Sequence, residues 1–143
     1  MHWSSLVRFL AYGGLGWCLE ILFTGLVALL ARRDRAATGT TYLWMFPIYG
    51  AGGLLLELAA AKLGACAWPL RLICYLTLIY ALEYTSGGLL RRLLGRCPWD
   101  YSGRGLNVHG LVRLDYAPGW LVICVLFEPA HRVLLGLASH GVS

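Results

Sequence analysis

Residues 6–31 read LVRFLAYGGLGWCLEILFTGLVALLA, a continuous apolar run whose only charged side chains are Arg8 and Glu20. Crossing about 30 Å of hydrocarbon takes about 20 helical residues, because backbone amides without water must bond within their own segment. This run is long enough to cross. Working outward from it, residues 43–64, 69–90 and 119–138 also qualify, each closed by charge, proline or glycine, and the last is interrupted by Glu128, Pro129 and His131. Runs of this length do not fit the short alternating strands of a membrane β-barrel. The expected fold is therefore all-α, an integral membrane four-helix bundle forming one polytopic domain over residues 1–143. Residues 32–42 and a short turn at 65–68 make the first two connections. The third, residues 91–118, is rich in arginine, glycine and aromatic residues and is expected to lie at the membrane interface.

Composition supports the same solvent. Hydrophobic residues make up 59% and charged residues 13% of the chain, against about 45–50% and 25% in soluble proteins. The net charge is +5, and the arginines stand in short runs beside the apolar segments. That placement points to anionic lipid headgroups rather than to nucleic acid. The cysteines at 18, 66, 74, 97 and 124 show no CxxC pair or zinc spacing and read as free thiols. Met1-His2-Trp3 lacks a basic cluster, so the first run is expected to stay in the protein rather than to be cleaved. Arg32, Arg33, Arg35, Arg91, Arg92, Arg96, Arg104 and Arg113 outnumber Arg8, Lys62, Arg71 and Arg132 on the opposite side. The imbalance predicts a cytoplasmic 91–118 loop and both termini outside.

The acids are distributed unevenly. Asp34, Asp100 and Asp115 lie in connections, whereas Glu20, Glu57, Glu83 and Glu128 fall one in each span. An ionised acid at a helix centre costs about 2.5–3.5 kcal/mol on insertion scales, so each should turn inward, pair or protonate. Helical spacing groups Gly13, Gly16, Trp17, Glu20 and Thr24 on one face of the first span, and Tyr49, Gly50, Gly53 and Glu57 on one face of the second. Thr77, Tyr80, Glu83, Tyr84 and Gly87 share a face of the third, and Trp120, Cys124, Glu128 and His131 a face of the fourth. These stripes are expected to meet at the bundle centre.

With no matching base expected inside the membrane, the acids either carry protons and lock helix register, or form a proton or cation site. Glu20, Glu83 and Glu128, with Tyr49 and Tyr80, are the candidates for that site. Glu57, close to Lys62, fits a local ion pair. Glu128 and His131 form a single E-x-x-H, half of a di-iron ligand set, so no metal is expected.

Residues 97–102 read CPWDYS, followed by Asn107, His109, Gly110 and the run DYAPGW at 115–120. The aromatic residues suit the headgroup level, and Asp100 and Ser102 suit turn capping. Trp99, Asp100, Tyr101, Ser102, Asn107 and Gly110 are alternatively a surface site. Ser102, His109 and Asp100 supply hydrolase residue types without a G-x-S-x-G elbow, so no catalytic residue is assigned and no cofactor is expected.

The sequence resembles the family of ABC-transporter permeases of CmpB type, and within it the transmembrane protein 229 branch. The resemblance rests on Leu19-Glu20-Ile21 with Phe23-Thr24, on Pro47-Ile48-Tyr49-Gly50, and on Leu82-Glu83-Tyr84 with Gly87. It rests above all on Cys97 through Ser102, Leu106-Asn107, Gly110-Leu111 and Tyr116 through Trp120. It implies a small multi-pass membrane protein and no defined substrate. Three functions follow as expectations. The first is a permease-like or transporter subunit with an acidic intramembrane site, built as a homo-oligomer or with a partner membrane protein. The second is a scaffold that binds partner helices through its glycines, and the third is a lipid-headgroup enzyme using residues 99–109. Gly50, Gly52 and Gly53 beside Pro47 predict a kinked or closely packed second helix.

Overall fold

A computed structural model describes residues 4–140, and side chains as far as residue 136. Among these residues the order is α1 (Ser5–Ala31), α2 (Met45–Leu63), α3 (Trp68–Leu94), β1 (Asn107–Val108), β2 (Val112–Arg113), a 3-10 turn at Leu114–Tyr116, and α4 (Ala117–His140). All four α-helices are long and apolar enough to cross a membrane, and in none is more than 17% of the apolar window buried within the protein. The rest of that surface is leucine-rich and outward-facing, which suits lipid as its solvent. The protein is thus an all-α, multi-pass membrane protein. The expected third span ends at Leu90, but α3 continues to Leu94, because charge ends an apolar run without ending a helix. Gly95, at φ 73°, closes it in the left-handed region.

The chain divides into two compact units, one of residues 4–54 and the other of residues 55–140, with α2 contributing to both. In the first unit, Ser4 caps α1 by accepting from the Val7 amide at 3.3 Å. The glycines expected to face inward let α1 and the start of α2 approach closely. A Cβ on Gly16 would fall on the Tyr49 ring, one on Gly53 on the Tyr12 ring, and one on Gly50 would lie 2.8 Å from Phe9. Phe46 packs edge-on against Trp17, with centroids 5.1 Å apart. Pro47 occupies the first turn of α2, where its missing N–H removes no intrahelical bond. Close packing, of the two expected alternatives, is the one these contacts display.

The connection after α1 turns back along that helix. Asp34 accepts from the Ala36 amide at 2.9 Å and the Thr38 amide at 3.2 Å, an Asx-type turn. Those bonds, the Thr38 side chain first among them, hold its carboxyl below the usual carboxylate range. Gly39 then passes over the Ile21 carbonyl so closely that any Cβ would clash with it. The Thr24 hydroxyl sits 2.8 Å from the Thr40 amide and 2.9 Å from the Thr40 carbonyl. Trp17 Nε1 donates to the Tyr42 carbonyl at 3.0 Å. Irregular backbone beside an apolar helix needs such partners, since lipid supplies none.

In the second unit α3 packs against α4 around Tyr75, Cys124 and Phe127, all buried. Tyr75 meets the Phe127 ring edge-on, with centroids 6.1 Å apart. Between these helices the chain forms a small antiparallel hairpin, with Asn107 opposite Arg113 and Val108 opposite Val112. Its strands are too short for apolar alternation to reveal them.

Candidate functional site

The α3 stripe Tyr80, Glu83, Tyr84, Gly87 faces the hairpin segment residue by residue. Tyr80 donates to the Leu114 carbonyl at 3.2 Å, and Tyr101 hydrogen-bonds Glu83. The Tyr84 hydroxyl lies 2.9 Å from His109 Nδ1. Gly87 lies beneath the segment: a Cβ there would stand 3.0 Å from both Trp99 and Leu111. The stripe was expected to face the other helices. The loop between α3 and α4 covers it, because 22 residues separate the two helices and their aromatic side chains fill the space that the α3 glycine leaves. Glu83 precedes Arg91 by eight helical residues, about 12 Å at 1.5 Å per residue, so the segment reaches well below the charged end of α3.

The CPWDYS motif builds this cover. Trp99 is buried and donates to the Leu111 carbonyl at 2.9 Å. Asp100 Oδ1 accepts from the Ser102 amide at 2.9 Å and the Ser102 hydroxyl at 2.6 Å. The hydroxyl bond and then the amide bond hold its carboxyl below the usual range. The Tyr101 amide donates to the Gly110 carbonyl at 2.9 Å. Asn107 donates to the Arg104 carbonyl and accepts from the Gly110 amide at 2.8 Å. Gly110 has φ 70°, and a Cβ there would strike the Ser102 hydroxyl and stand 2.8 Å from Asp100, so two separate constraints require glycine. Arg113 pairs with Asp115, which keeps its guanidinium firmly charged, and stacks 4.1 Å over the Tyr116 ring. Burial pushes the Cys97 thiol up. Ser102 is held by Asp100 and His109 by Tyr84, so the serine and histidine that suggested a hydrolase have other partners.

Among the described residues of this unit, three buried polar atoms have no hydrogen-bond partner: Arg71 Nε, Glu83 Oε2 and, near the start of α4, Trp120 Nε1. Of these, Glu83 Oε2 is the acceptor and the other two are donors. Unpaired buried groups of this kind are costly, and an explanation for them is to be sought in function.

Glu128 lies elsewhere in the same unit, where it accepts from Arg71 and, at 2.7 Å, from the Tyr75 hydroxyl. Tyr75 precedes Glu83 by eight residues on α3, so the two acids are separated along that helix by about 12 Å and do not meet. No basic partner was expected at this depth. Arg71 lies in the first turn of α3, and its long side chain reaches Glu128 on α4. Glu57 faces His131 Nδ1 at 3.8 Å, so the two halves of the E-x-x-H serve different partners. In the other unit Glu20 accepts from the Thr41 hydroxyl, and Tyr49 lies against Gly16. Arg71 and Thr41 were missed, since neither sits in a stripe. The five cysteines are free.

No solved structure matches the chain. A family model does: the family described as "Putative ABC-transporter type IV" matches residues 7–138, nearly the whole of the four-helix region, and the chain belongs to that family.

Proposed function

We propose that this chain is a permease-like subunit of a membrane transport assembly, with Glu83 as the polar group on the path. The observation that carries this reading is the Glu83 oxygen that is buried on an apolar helix without a hydrogen-bond partner. Glu20, Glu83 and Glu128 each accept a hydrogen bond from a nearby side chain, but of these three acids Glu83 alone keeps a buried oxygen without a partner. Membership of a transporter-type family points the same way. In this reading the four helices form one membrane domain that works as a homo-oligomer or beside a partner membrane protein. The arginine-rich loop segment faces the cytoplasm, and both termini face outside. A scaffold reading has less support, because Gly13, Gly16, Gly50 and Gly53 are already packed against side chains of their own unit.

The test is reconstitution of the purified chain in vesicles, with proton, sodium and potassium entry followed by trapped indicators. Wild type is expected to pass at least one of these probes, and Glu83→Gln to slow it by about tenfold or more, because intramembrane acids on a transport path are seldom replaceable by amides. Unchanged flux in Glu83→Gln removes Glu83 from the path. Absence of flux for every probe in wild type counts against transport by this chain alone.

A further inference from the structure

The outer face of α3 has no role so far. Ala81, Thr85 and Leu89, at steps of four, are all exposed, and at about 100° per residue they stay within about 80° of arc, on the side away from Glu83 and Gly87. The Thr85 hydroxyl donates back to its own helix, to the Ala81 carbonyl at 2.7 Å. What it presents outward is methyl. The lane is therefore apolar along its length, and it ends in charge: Arg92 lies on the same side as Leu89, three residues on, and Arg96 follows the Gly95 cap.

Both arginines are exposed. The nearby carboxylates have other partners, Asp115 pairing with Arg113 and Asp100 with Ser102. Among the described residues neither Arg92 nor Arg96 forms an ion pair within the protein, whereas Arg91 beside them donates to the His109 carbonyl at 3.1 Å. An exposed apolar lane one acyl chain wide, capped by two cations without an anion of their own, matches one kind of partner in both shape and charge.

We propose that α3 carries a docking surface for an anionic phospholipid, its phosphate held by Arg92 and Arg96 and an acyl chain lying along Leu89, Thr85 and Ala81. Bringing an arginine to an anionic headgroup is worth about a fivefold preference each. The surface stands independently of the transport reading above.

The test is native mass spectrometry of the full chain released from detergent after incubation with phosphatidylglycerol or with phosphatidylcholine of the same acyl chains. Wild type is expected to retain phosphatidylglycerol over phosphatidylcholine by about fivefold or more, the Arg92→Gln/Arg96→Gln double variant to lose the preference, and Arg92→Lys/Arg96→Lys to keep it. Arg132→Gln, on α4, serves as the control and should leave the preference intact. An undiminished preference in the double glutamine variant overturns the proposal. So does loss of bound phosphatidylglycerol to matched inorganic phosphate, which would make the site one for a free anion. A Thr85→Trp variant that converts a dimer to a monomer while lipid retention stays unchanged would assign the lane to a second copy and also overturn it.

Discussion

Asp100 shows how a single carboxylate organises a loop, since one of its oxygens accepts both the amide and the hydroxyl of Ser102. Those bonds favour the charged form and lower its pKa. A group whose folded value is depressed contributes stability that is present above the ordinary carboxylate range and is lost as pH falls through the folded value. Hydrogen exchange at the Ser102 amide, corrected for its intrinsic rate, is therefore expected to accelerate as pH falls below the ordinary aspartate value of about 3.9. Asp100→Asn should remove that pH dependence, and a wild-type profile without a step would contradict the assignment. Asp100, Ser102, Asn107 and Gly110 were all legible in the sequence as one constellation. The turn bonds within it account for most of their residue types. Tyr101 and Glu83 were also legible singly, but their pairing was not, because it joins side chains 18 positions apart in sequence through a loop with no periodicity.

At the scale of elements, the glycines of α1 and α2 read correctly because spacing alone places them on one face. Small residues on such faces let helices approach in lipid, where no hydrophobic force draws them together. Gly53→Ala places its methyl on Tyr12 near the Cβ and ring base, atoms that a rotamer change cannot clear. It is expected to cost about 1–3 kcal/mol, as overpacking does, in unfolding measured in mixed micelles. Gly14, with nothing near its Cβ position, provides the contrast: Gly14→Ala should not destabilise. The segment between these helices read as a plain connection. Its course back along α1 is decided by Thr24, Trp17 and Glu20 satisfying polar groups of residues 40–42, a set of partners that periodicity does not encode.

Across the molecule, the unit of residues 55–140 ties α3 to α4 at two levels, by the covering loop beside Glu83 and by Arg71 with Tyr75 on Glu128. Arg71→Met leaves the Glu128 carboxylate with one partner removed, and removing one member of a partly buried pair destabilises more than replacing both. Thermal unfolding in detergent is expected to begin several degrees lower for Arg71→Met, and Glu128→Leu added to it should restore part of the loss. A double variant less stable than the single one would show that the pair acts through something other than charge. Run length and the 3.6-residue repeat are properties of a single segment, so the solvent, the number of long apolar helices and the faces that carry polar and small residues were readable from the residues alone. What those faces meet depends on packing between segments. Glu83 lies beneath a loop, Glu128 beside an arginine and Glu20 beside a threonine, since the reach of a long side chain and the path of an irregular loop depend on atoms far apart along the chain.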